Sequence, residues 1–269
     1  MGKMWDETYL LSELPSEEET IEEVEFLWDK LQLHAGSIVL DLCCGQGRHA
    51  LPLAKRGCLV IGLDSSRLLM DEAAKEIKRR QLTRVKLVEA DMRAIPLHHT
   101  CDAVINLYTS FGFFNDADNL TVLSDIALAL KPEGKLLLEY WNPYAAAQLD
   151  GTRNWWWIND DVLALAEVKY DAASGVLYDY RTVIDLSQHE ENWLRQSVLR
   201  SSLNRIRFYF PPELEERLKA VGLRISALYG DFDGRTFDLD SRRLIVVAQL
   251  SSQTSEVLEP SEVYRNQRL

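Results

Sequence analysis

The sequence lacks the segments that mark membrane and secreted proteins. Within its 269 residues, no run approaches the ~18 uninterrupted apolar residues that a membrane-spanning helix requires. The N-terminal residues also lack the charged and then apolar pattern of a signal peptide. We therefore predict a cytoplasmic protein with no membrane partner.

Cysteine and histidine are scarce, and their spacing argues against two common uses. The four cysteines stand at positions 43, 44, 58 and 101 without the Cys-x-x-Cys spacing of a zinc site, and two of them are adjacent. The five histidines have no ligand partner at the spacing that metal sites on helices use. These patterns predict reduced thiols, no disulfide framework and no bound metal.

Positive charge is also in short supply. The chain has 30 lysines and arginines against 42 aspartates and glutamates, which gives a formal net charge of −12. A protein this acidic is a poor general binder of phosphate backbones, so we predict no nucleic-acid partner. The composition is otherwise that of a globular protein, 46% hydrophobic, and the length suits one large domain. The oligomeric state stays open.

Residues 1–34 form an acidic segment that we predict to be a helical arm. Ser16 and Glu19 have the spacing of a capping box, which starts a helix. Apolar residues then recur at helical spacing, at positions 21, 24, 27, 28 and 31. The glutamates between them are predicted to form a solvated face.

Residues 35–144 alternate short apolar segments with helical patterns. Ser65 is predicted to cap the helix that follows the second segment. Strands that alternate with helices imply a parallel sheet with right-handed crossovers. The five predicted strands are Ile38–Leu42, Leu59–Leu63, Val85–Glu89, Ala103–Leu107 and Leu136–Tyr140.

The pattern changes over residues 145–210, which we predict to be an antiparallel insertion on the parallel core. Val176–Leu186 and Val198–Phe210 are rich in β-branched and aromatic residues, and Asp171–Gly175 has the composition of a hairpin turn. The predicted organisation is thus an arm at 1–34, a domain at 35–250 that holds the insertion and ends with strands at 224–229 and 244–250, and a loose tail at 251–269.

A glycine-containing turn follows the first predicted strand, in the sequence Val-Leu-Asp-Leu-Cys-Cys-Gly-Gln-Gly-Arg-His-Ala that starts at Val39. Gly45 and Gly47 let backbone N–H groups and a helix N-terminus approach a ligand closely. Asp64 ends the second strand, where a carboxylate can accept both hydroxyls of a ribose. Asp91 follows the third strand, where a carboxylate can accept the amine of an adenine.

The same turn satisfies the Gly-x-Gly-x-x-Gly/Ala pattern, which keeps an NAD(P)-dependent oxidoreductase open as an alternative. Two acids favour another ligand. Asp41 stands just before the glycines, where it would repel a pyrophosphate, and Asp91 is an acid that pyrophosphate binding does not need. A cationic adenosine derivative without phosphates fits better, and S-adenosylmethionine is one. A non-catalytic interaction protein that binds its partner through the acidic arm is a third hypothesis.

Five motifs, in this order, resemble those of class I S-adenosylmethionine-dependent methyltransferases. They are VLDLCCGQGRHA, VIGLD, VEADM, CDAVINLYTSFGFF and ALKPEGKLLLEY, and the resemblance covers roughly residues 35–250. It implies an α/β fold with a Rossmann-like, seven-stranded, mostly parallel sheet, helices on both faces and an antiparallel last strand. It also implies an enzyme that moves a methyl group from S-adenosylmethionine to a nitrogen or oxygen atom of a small-molecule acceptor.

Carried over by position, the resemblance implies a role for each motif. The glycine loop would line the methionine part of the cofactor, Asp64 would bind the ribose and Asp91 the adenine. Asn106 would lie under the sulfonium, and Arg48 would contact the cofactor's carboxylate. The cofactor-binding residues implied in this way are Tyr9, Asp41, Cys43, Cys44, Gly45, Gly47, Arg48, Asp64, Asp91, Met92, Asn106 and Leu107.

The glycine loop and the start of the following helix contain Cys43 and His49. Cys43 stands where this family most often has glycine, and we predict that the departure has little effect, because the position does not always need glycine's special backbone angles. His49 is predicted to be a core or helix-start histidine.

The arm and the insertion resemble those of amino-sugar and glycine N-methyltransferases, in which an N-terminal segment covers the cofactor and an antiparallel insertion covers the substrate. This likeness implies Tyr9 as a covering residue. Tyr108 follows the fourth strand and is the candidate catalytic residue. The further candidate bases are Glu139, Tyr140 and His49. The triple tryptophan at 155–157 is predicted either to hold the acceptor or to pack the insertion onto the core.

Overall fold

Two sheets and six helices form the described part of the chain, residues 15–187 and 198–251 of a computed structural model. Tyr9 and the predicted tail from residue 252 onward lie outside the described residues. The helices are α1 (Glu17–Lys30), α2 (Ala50–Lys55), α3 (Arg67–Arg79), α4 (Asp116–Ala129), α5 (Pro143–Ala147) and α6 (Pro211–Ala220). The strands are β1 (Ile38–Leu42), β2 (Leu59–Asp64), β3 (Val85–Glu89), β4 (Cys101–Asn106), β5 (Leu130–Trp141), β6 (Arg153–Trp157), β7 (Val162–Asp171), β8 (Val176–Asp185), β9 (Val198–Arg207), β10 (Leu223–Tyr229) and β11 (Arg243–Leu250).

A seven-stranded sheet forms the core, in the order β3-β2-β1-β4-β5-β11-β10. Strands β1 to β5 pair in parallel, whereas β11 runs antiparallel to both β5 and β10. The predicted fold class is confirmed, including the antiparallel last strand. Because β1 and β4 are neighbours although β2 and β3 separate them in the chain, the strand order reverses direction at β1, where α/β sheets bind ligands.

Helices cover both faces of this sheet because successive strand residues point to opposite sides. Val39 of β1 packs with Val24 and Leu27 of α1, while the next residue, Leu40, packs with Leu123 of α4 on the other face. All five side chains are buried. The buried strands are therefore apolar on both faces, as expected for a parallel sheet.

Helix α1 is the predicted arm helix, and it packs onto the core rather than standing apart. The capping box between Ser16 and Glu19 is present, as predicted. The predicted division into an apolar and an acidic face is wrong at two positions. Ile21 is 44% exposed, whereas Glu23 is buried, because Glu23 lies over the carboxyl edge of the sheet and finds charged partners there.

A second sheet, which we call the lid sheet, is antiparallel in the order β6-β7-β8-β9. The predicted hairpin is confirmed, since Asp171 at the end of β7 pairs with Val176 at the start of β8. Strand β7 itself was not separated from its surroundings by the sequence pattern. The lid sheet contacts the core where the backbone N–H of Arg207 donates to the carbonyl of Gly112, at 2.7 Å.

Some predicted boundaries need correction. Ser66 caps α3 through the N–H of Leu69, so the predicted cap at Ser65 is wrong by one residue. Strand β5 begins at Leu130, six residues before its predicted start, because the segment after α4 already pairs with β4. Within the described ranges, no helix is both long and apolar enough to cross a membrane.

Candidate active site

The glycine loop and Asp64 meet at the carboxyl edge of the core sheet. The N–H of Gly45 donates to Asp64 Oδ2 at 2.8 Å, and the N–H of Ser66 donates to Oδ1 at 2.7 Å. Burial raises the pKa of Asp64, and these N–H groups oppose the rise by stabilising the charged form. The carboxylate is thereby fixed at the end of β2, at the position predicted to bind a ribose.

Asp41 is a buried carboxylate whose charge is poorly compensated. Burial and the nearby charge of Asp64 raise the pKa of Asp41 to about 7, although Arg48 and the N–H of Ala50 oppose the rise. Its Oδ2 atom has no hydrogen-bond partner among the described residues. Since such an oxygen is costly to bury, the position favours a ligand that brings a positive charge or an N–H donor.

Cys43 adopts a left-handed backbone conformation, with φ of +65°. The prediction that this position does not need glycine's backbone angles is therefore wrong. The turn is sharp because the N–H groups of Cys43 and Cys44 both donate to the carbonyl of Leu63, at 2.7 and 3.1 Å. A residue with a Cβ in this conformation costs roughly 1–2 kcal/mol, which the surrounding loop must offset.

Asp91 lies beyond β3 and is already paired. Its carboxylate accepts from Arg93 at the backbone N–H, at Nε and at Nη2, over 2.9, 3.1 and 2.7 Å. The hydrogen bonds from the Arg93 side chain lower the pKa of Asp91 despite partial burial. Met92 lies close to the glycine loop, with its sulfur 3.9 Å from that of Cys43. The predicted adenine contacts thus lie at the same edge as Asp64.

Asn106 ends β4 beside the end of β1. Its side-chain amide donates to the carbonyl of Leu42 at 3.0 Å, while its Oδ1 atom is buried with no partner among the described residues. Leu107 is buried next to it. The loop that starts here leads directly to Tyr108.

A buried charged network joins α1 to this edge. Glu23 accepts from His49 Nε2 at 2.8 Å and from the hydroxyl of Tyr108, and it forms an ion pair with Arg48 at 2.6 Å. Burial favours the protonated acid, but the hydrogen bonds from His49 and Tyr108 and the charge of Arg48 lower the pKa of Glu23 overall. His49 is buried beside α2, as predicted. Arg48 is engaged by α1, so its predicted contact with the cofactor's carboxylate stays a prediction.

Tyr108 is held in a strained turn by a second buried acid. Tyr108 and Thr109 have φ of +58° and +56°, and the N–H of Tyr108 donates to Glu139. Glu139 is fully buried and pairs with Arg243 at 2.9 Å. Burial raises the pKa of Glu139, and Arg243 opposes the rise. Strain of this kind is concentrated at functional sites, where the surrounding contacts impose it.

Two of the candidate bases, Tyr108 and Tyr140, act as hydrogen-bond donors and are not poised to accept a proton. Burial and the hydrogen bond to Glu23 raise the pKa of Tyr108, whose hydroxyl acts as a donor. Tyr140 is buried and donates to the carbonyl of Tyr209 at 2.7 Å. A catalytic role for Tyr108 stays a prediction, and its contacts favour a positioning role.

A cavity of about 430 Å³ lies between the lid sheet and the ends of β4 and β5. Tyr108, Trp141 and Trp156 line it, together with alternate residues of β8 and β9. Trp155 and Trp157 are on the opposite face of β6 and are 67% and 52% exposed. The triple tryptophan is thus divided between two faces, as the alternation of a strand requires.

Sequence reasoning missed the polar residues on the inner face of the lid sheet. Asp179, Arg181 and Asn204 line the cavity. The sequence did contain a signal for these residues. Leu177, Asp179, Arg181 and Val183 are spaced two residues apart along β8, so they must lie on the same face of the strand. The missing information was which face of the strand is turned toward the core.

Known proteins resemble this chain in sequence and in fold. Residues 39–134 match a family model described as a methyltransferase domain. A demethylmenaquinone methyltransferase of Lactobacillus johnsonii is 35% identical over 111 residues, 40% of this chain and 45% of that protein. The chain thus spans about half the length of such curated relatives.

Other matches are longer but less identical. The dTDP-3-amino-3,4,6-trideoxy-alpha-D-glucopyranose N,N-dimethyltransferase of Streptomyces venezuelae is 26% identical over 209 residues, covering 74% of this chain and 80% of that one. The solved structure of the CcbJ methyltransferase from Streptomyces caelestis has a TM-score of 0.75 at 22% identity, covering 89% of this chain and 94% of that one.

The strand order and the glycine loop after β1 define a Rossmann-like α/β protein, a class in which ligands bind at the carboxyl edge of the sheet where the strand order reverses. Within that fold, residues 39–134 match a methyltransferase domain, and β11 runs antiparallel, as the resemblance to class I S-adenosylmethionine-dependent methyltransferases implies for the last strand.

The residues at this edge fit S-adenosylmethionine. The unpaired oxygen of Asp41 and its raised pKa indicate a site that lacks positive charge, which the ammonium and sulfonium groups of the cofactor carry. Asp64 retains lone pairs beyond those used by Gly45 and Ser66, so it can also accept from ribose hydroxyls.

Proposed function

We propose that the protein transfers a methyl group from S-adenosylmethionine to a nitrogen or oxygen atom of a small-molecule acceptor. The observation that carries this proposal is the position of the cavity. Tyr108 lines it and is two residues beyond Asn106, which ends the strand at the edge of the proposed cofactor site. A cofactor on one side of this loop and an acceptor on the other would meet there.

The cofactor, when bound, supplies an electrophilic methyl group on a sulfonium. The residues of this chain bind and orient the two reactants. Asp64 would hold the ribose, and Asp41 would compensate positive charge near the glycine loop. Positioning two reactants at near-attack distance can supply up to ~7–11 kcal/mol of barrier reduction. The lid sheet covers the cavity and so helps to exclude water from the reacting atoms.

Nitrogen is the favoured acceptor atom. An amine that arrives unprotonated needs no general base, whereas a hydroxyl acceptor must lose its proton during the reaction. Tyr108 donates to Glu23, and Glu139 is paired with Arg243, so neither is placed to take that proton. The N,N-dimethyltransferase of Streptomyces venezuelae, which resembles most of this chain, supports the same choice.

The test is a screen of small-molecule amines and alcohols with the full chain and S-adenosylmethionine. Formation of S-adenosylhomocysteine and the gain of one methylene in the mass of the acceptor are measured together. We expect turnover with amines and little with alcohols. A parallel arm with NAD and NADP tests the oxidoreductase alternative, and reduction of a nicotinamide without any methyl transfer would overturn the proposal.

A further inference from the structure

Arginines line the cavity under the lid sheet in an otherwise acidic protein. Arg181 and Arg200 lie on the inner face of the lid sheet. Arg243 is the first residue of β11, and Arg242 precedes it. Among the described residues that line the cavity, Asp179 is the one acid. The local charge is thus the reverse of the net charge of −12 for the whole chain.

From this geometry we propose that the acceptor carries an anionic group, a carboxylate or a phosphate, and that Arg181 binds it. The inference rests on the proposed function for the identity of the acceptor site. The binding of an anion can nevertheless be measured without turnover.

Arg243 does not serve this purpose, because it is already committed. Its Nη1 pairs with Glu139 at 2.9 Å and its Nε with Asp231 at 3.3 Å. Arg242 is exposed at the rim of the cavity. Arg181, on the inner face of the lid sheet, is the cation to which the described contacts give the best access to a ligand inside the cavity.

Arg181 is held in place and retains donors. One of its terminal nitrogens pairs with Asp179 Oδ2 at 2.7 Å, and the guanidinium lies 5.1 Å from the centre of the Trp156 ring. Asn204 fixes Asp179 from the other side, with its amide 3.2 Å from the same oxygen. Since the ion pair uses a single nitrogen and the side chain is 40% exposed, the rest of the guanidinium fork is available.

The register of β8 and β9 groups further donors around Arg181. Ser202 is directly opposite Arg181, and Arg200 is opposite Val183, two residues along on the same face. Two guanidinium groups and a hydroxyl on one surface are the donor types that bind carboxylates and phosphates in proteins. Apolar residues such as Val168 complete the wall, which suits an organic body attached to the anion.

The test uses four probes that share a phenyl ring and differ in charge: benzoate, phenyl phosphate, benzamide and benzylamine. Each is titrated by calorimetry or by ligand-observed NMR into the full chain with S-adenosylhomocysteine present. We expect at least one anion to bind about tenfold or more tightly than benzamide and benzylamine. If benzoate binds more tightly than phenyl phosphate, the anionic group of the acceptor is assigned as a carboxylate. If phenyl phosphate binds more tightly, it is assigned as a phosphate.

Variants of Arg181 then test whether this residue binds the anion. Arg181→Gln is expected to weaken binding of the preferred anion about tenfold or more, and Arg181→Lys less, because it keeps the charge but loses the planar fork. Arg153→Gln is the matched control, an arginine on the opposite face of the lid sheet whose side chain is 78% exposed, and it should leave binding unchanged. Circular dichroism checks each fold. If Arg181→Gln is unfolded, Arg181→Met takes its place and should weaken binding of the anion by the same factor, about tenfold or more.

Three results would overturn the inference: tighter binding of benzylamine, anion binding that survives the arginine variants, or no binding of any probe. The proposed function fails separately. If S-adenosylhomocysteine itself does not bind, the proposed reaction is wrong, whereas cofactor binding without a preference for anions removes only the role given to Arg181.

Discussion

At the scale of single residues, the site depends on which carboxylates are buried and what each is paired with. Asp64 is held by backbone N–H groups, and Asp91 is paired with Arg93, whereas Asp41 keeps one oxygen with no partner among the described residues. These differences separate acids that are already satisfied from the acid that favours a cationic ligand.

Replacing Asp64 by alanine is expected to weaken binding of S-adenosylhomocysteine by at least ~1–3 kcal/mol, the scale of a lost hydrogen-bond partner that carries a charge. Calorimetric titration measures the change. Asp71→Ala is the control, an exposed acid on α3 whose surface ion pair with Arg67 contributes little. An unchanged dissociation constant in Asp64→Ala would contradict the ribose assignment.

The raised pKa of Asp41 predicts a dependence on pH. Its pKa rises from 3.8 to about 7 on folding, so the protonated acid stabilises the ligand-free protein below pH 3.8, and this contribution is lost as the pH rises to about 7. The ammonium group of S-adenosylhomocysteine favours the ionised acid. Binding of S-adenosylhomocysteine should therefore weaken as the pH falls below about 7.

Titrations between about pH 5.5 and 8 measure this dependence. Asp41→Asn should flatten it, which separates Asp41 from Asp64, the other acid nearby whose pKa burial raises. Wild-type affinity that does not change over this range would show that Asp41 does not face the cationic part of the ligand.

Single residues also show what the sequence can predict. An acid that follows an apolar strand comes to the carboxyl edge of a parallel sheet whatever the loops do, so Asp64 and Asp91 could be placed in advance. Arg48 could not, because its partner Glu23 lies 25 residues earlier on another element. The left-handed turn at Cys43 depends on two hydrogen bonds to Leu63 that no local pattern reveals.

At the scale of elements, α1 binds to the rest of the protein through the buried ion pairs of Glu23 as well as through apolar packing. Glu23→Gln removes the anion that compensates Arg48 and should lower the free energy of unfolding by about 3–5 kcal/mol. Glu25→Gln is the matched control on the same helix, since its ion pair with Arg56 is exposed and should contribute less than about 1 kcal/mol. Urea denaturation measures both, and equal losses would mean that the network does not hold α1.

The lid sheet depends on a close backbone contact at Gly112, whose φ is +101°. A Cβ there would overlap the carbonyl oxygen of Arg207. Gly112→Ala should therefore cost more than Gly151→Ala, a glycine with φ of +73° and open space around it. Left-handed strain alone costs roughly 1–2 kcal/mol, and the clash should add ~1–3 kcal/mol. Thermal denaturation compares the two, and similar losses would argue against the contact.

The sequence predicted the strands of the core sheet better than those of the lid sheet, and the difference has a physical reason. The central strands of the parallel core are buried on both faces, so they stand out as apolar segments, and the predicted bounds of β1 match the structure. The bounds of β3, a less buried edge strand, also match. Strand β7 has one solvated face and an irregular pattern, and it was missed. Alternation can divide a strand into two faces, but it does not show which face meets the core, so the inner position of Arg181 came from the structure alone.

At the scale of the whole molecule, Tyr108 is the point where three parts meet. It bonds to Glu23 of α1, its backbone is held by Glu139 of the core sheet, and it lines the cavity under the lid sheet. The arm helix, the core and the lid thus converge on the loop after β4, where the proposed cofactor and acceptor would meet.

The measurement that tests this proposal most directly compares the thermal stability of the full chain with S-adenosylhomocysteine, S-adenosylmethionine, NAD and NADP. A ligand at 100 times its Kd stabilises by ~2.7 kcal/mol, which raises the Tm of a chain this long by several degrees. We expect the first two ligands to raise the Tm and the two nicotinamides to leave it unchanged. A rise with NAD or NADP alone, or no rise with any of the four, would contradict the proposed methyltransferase function.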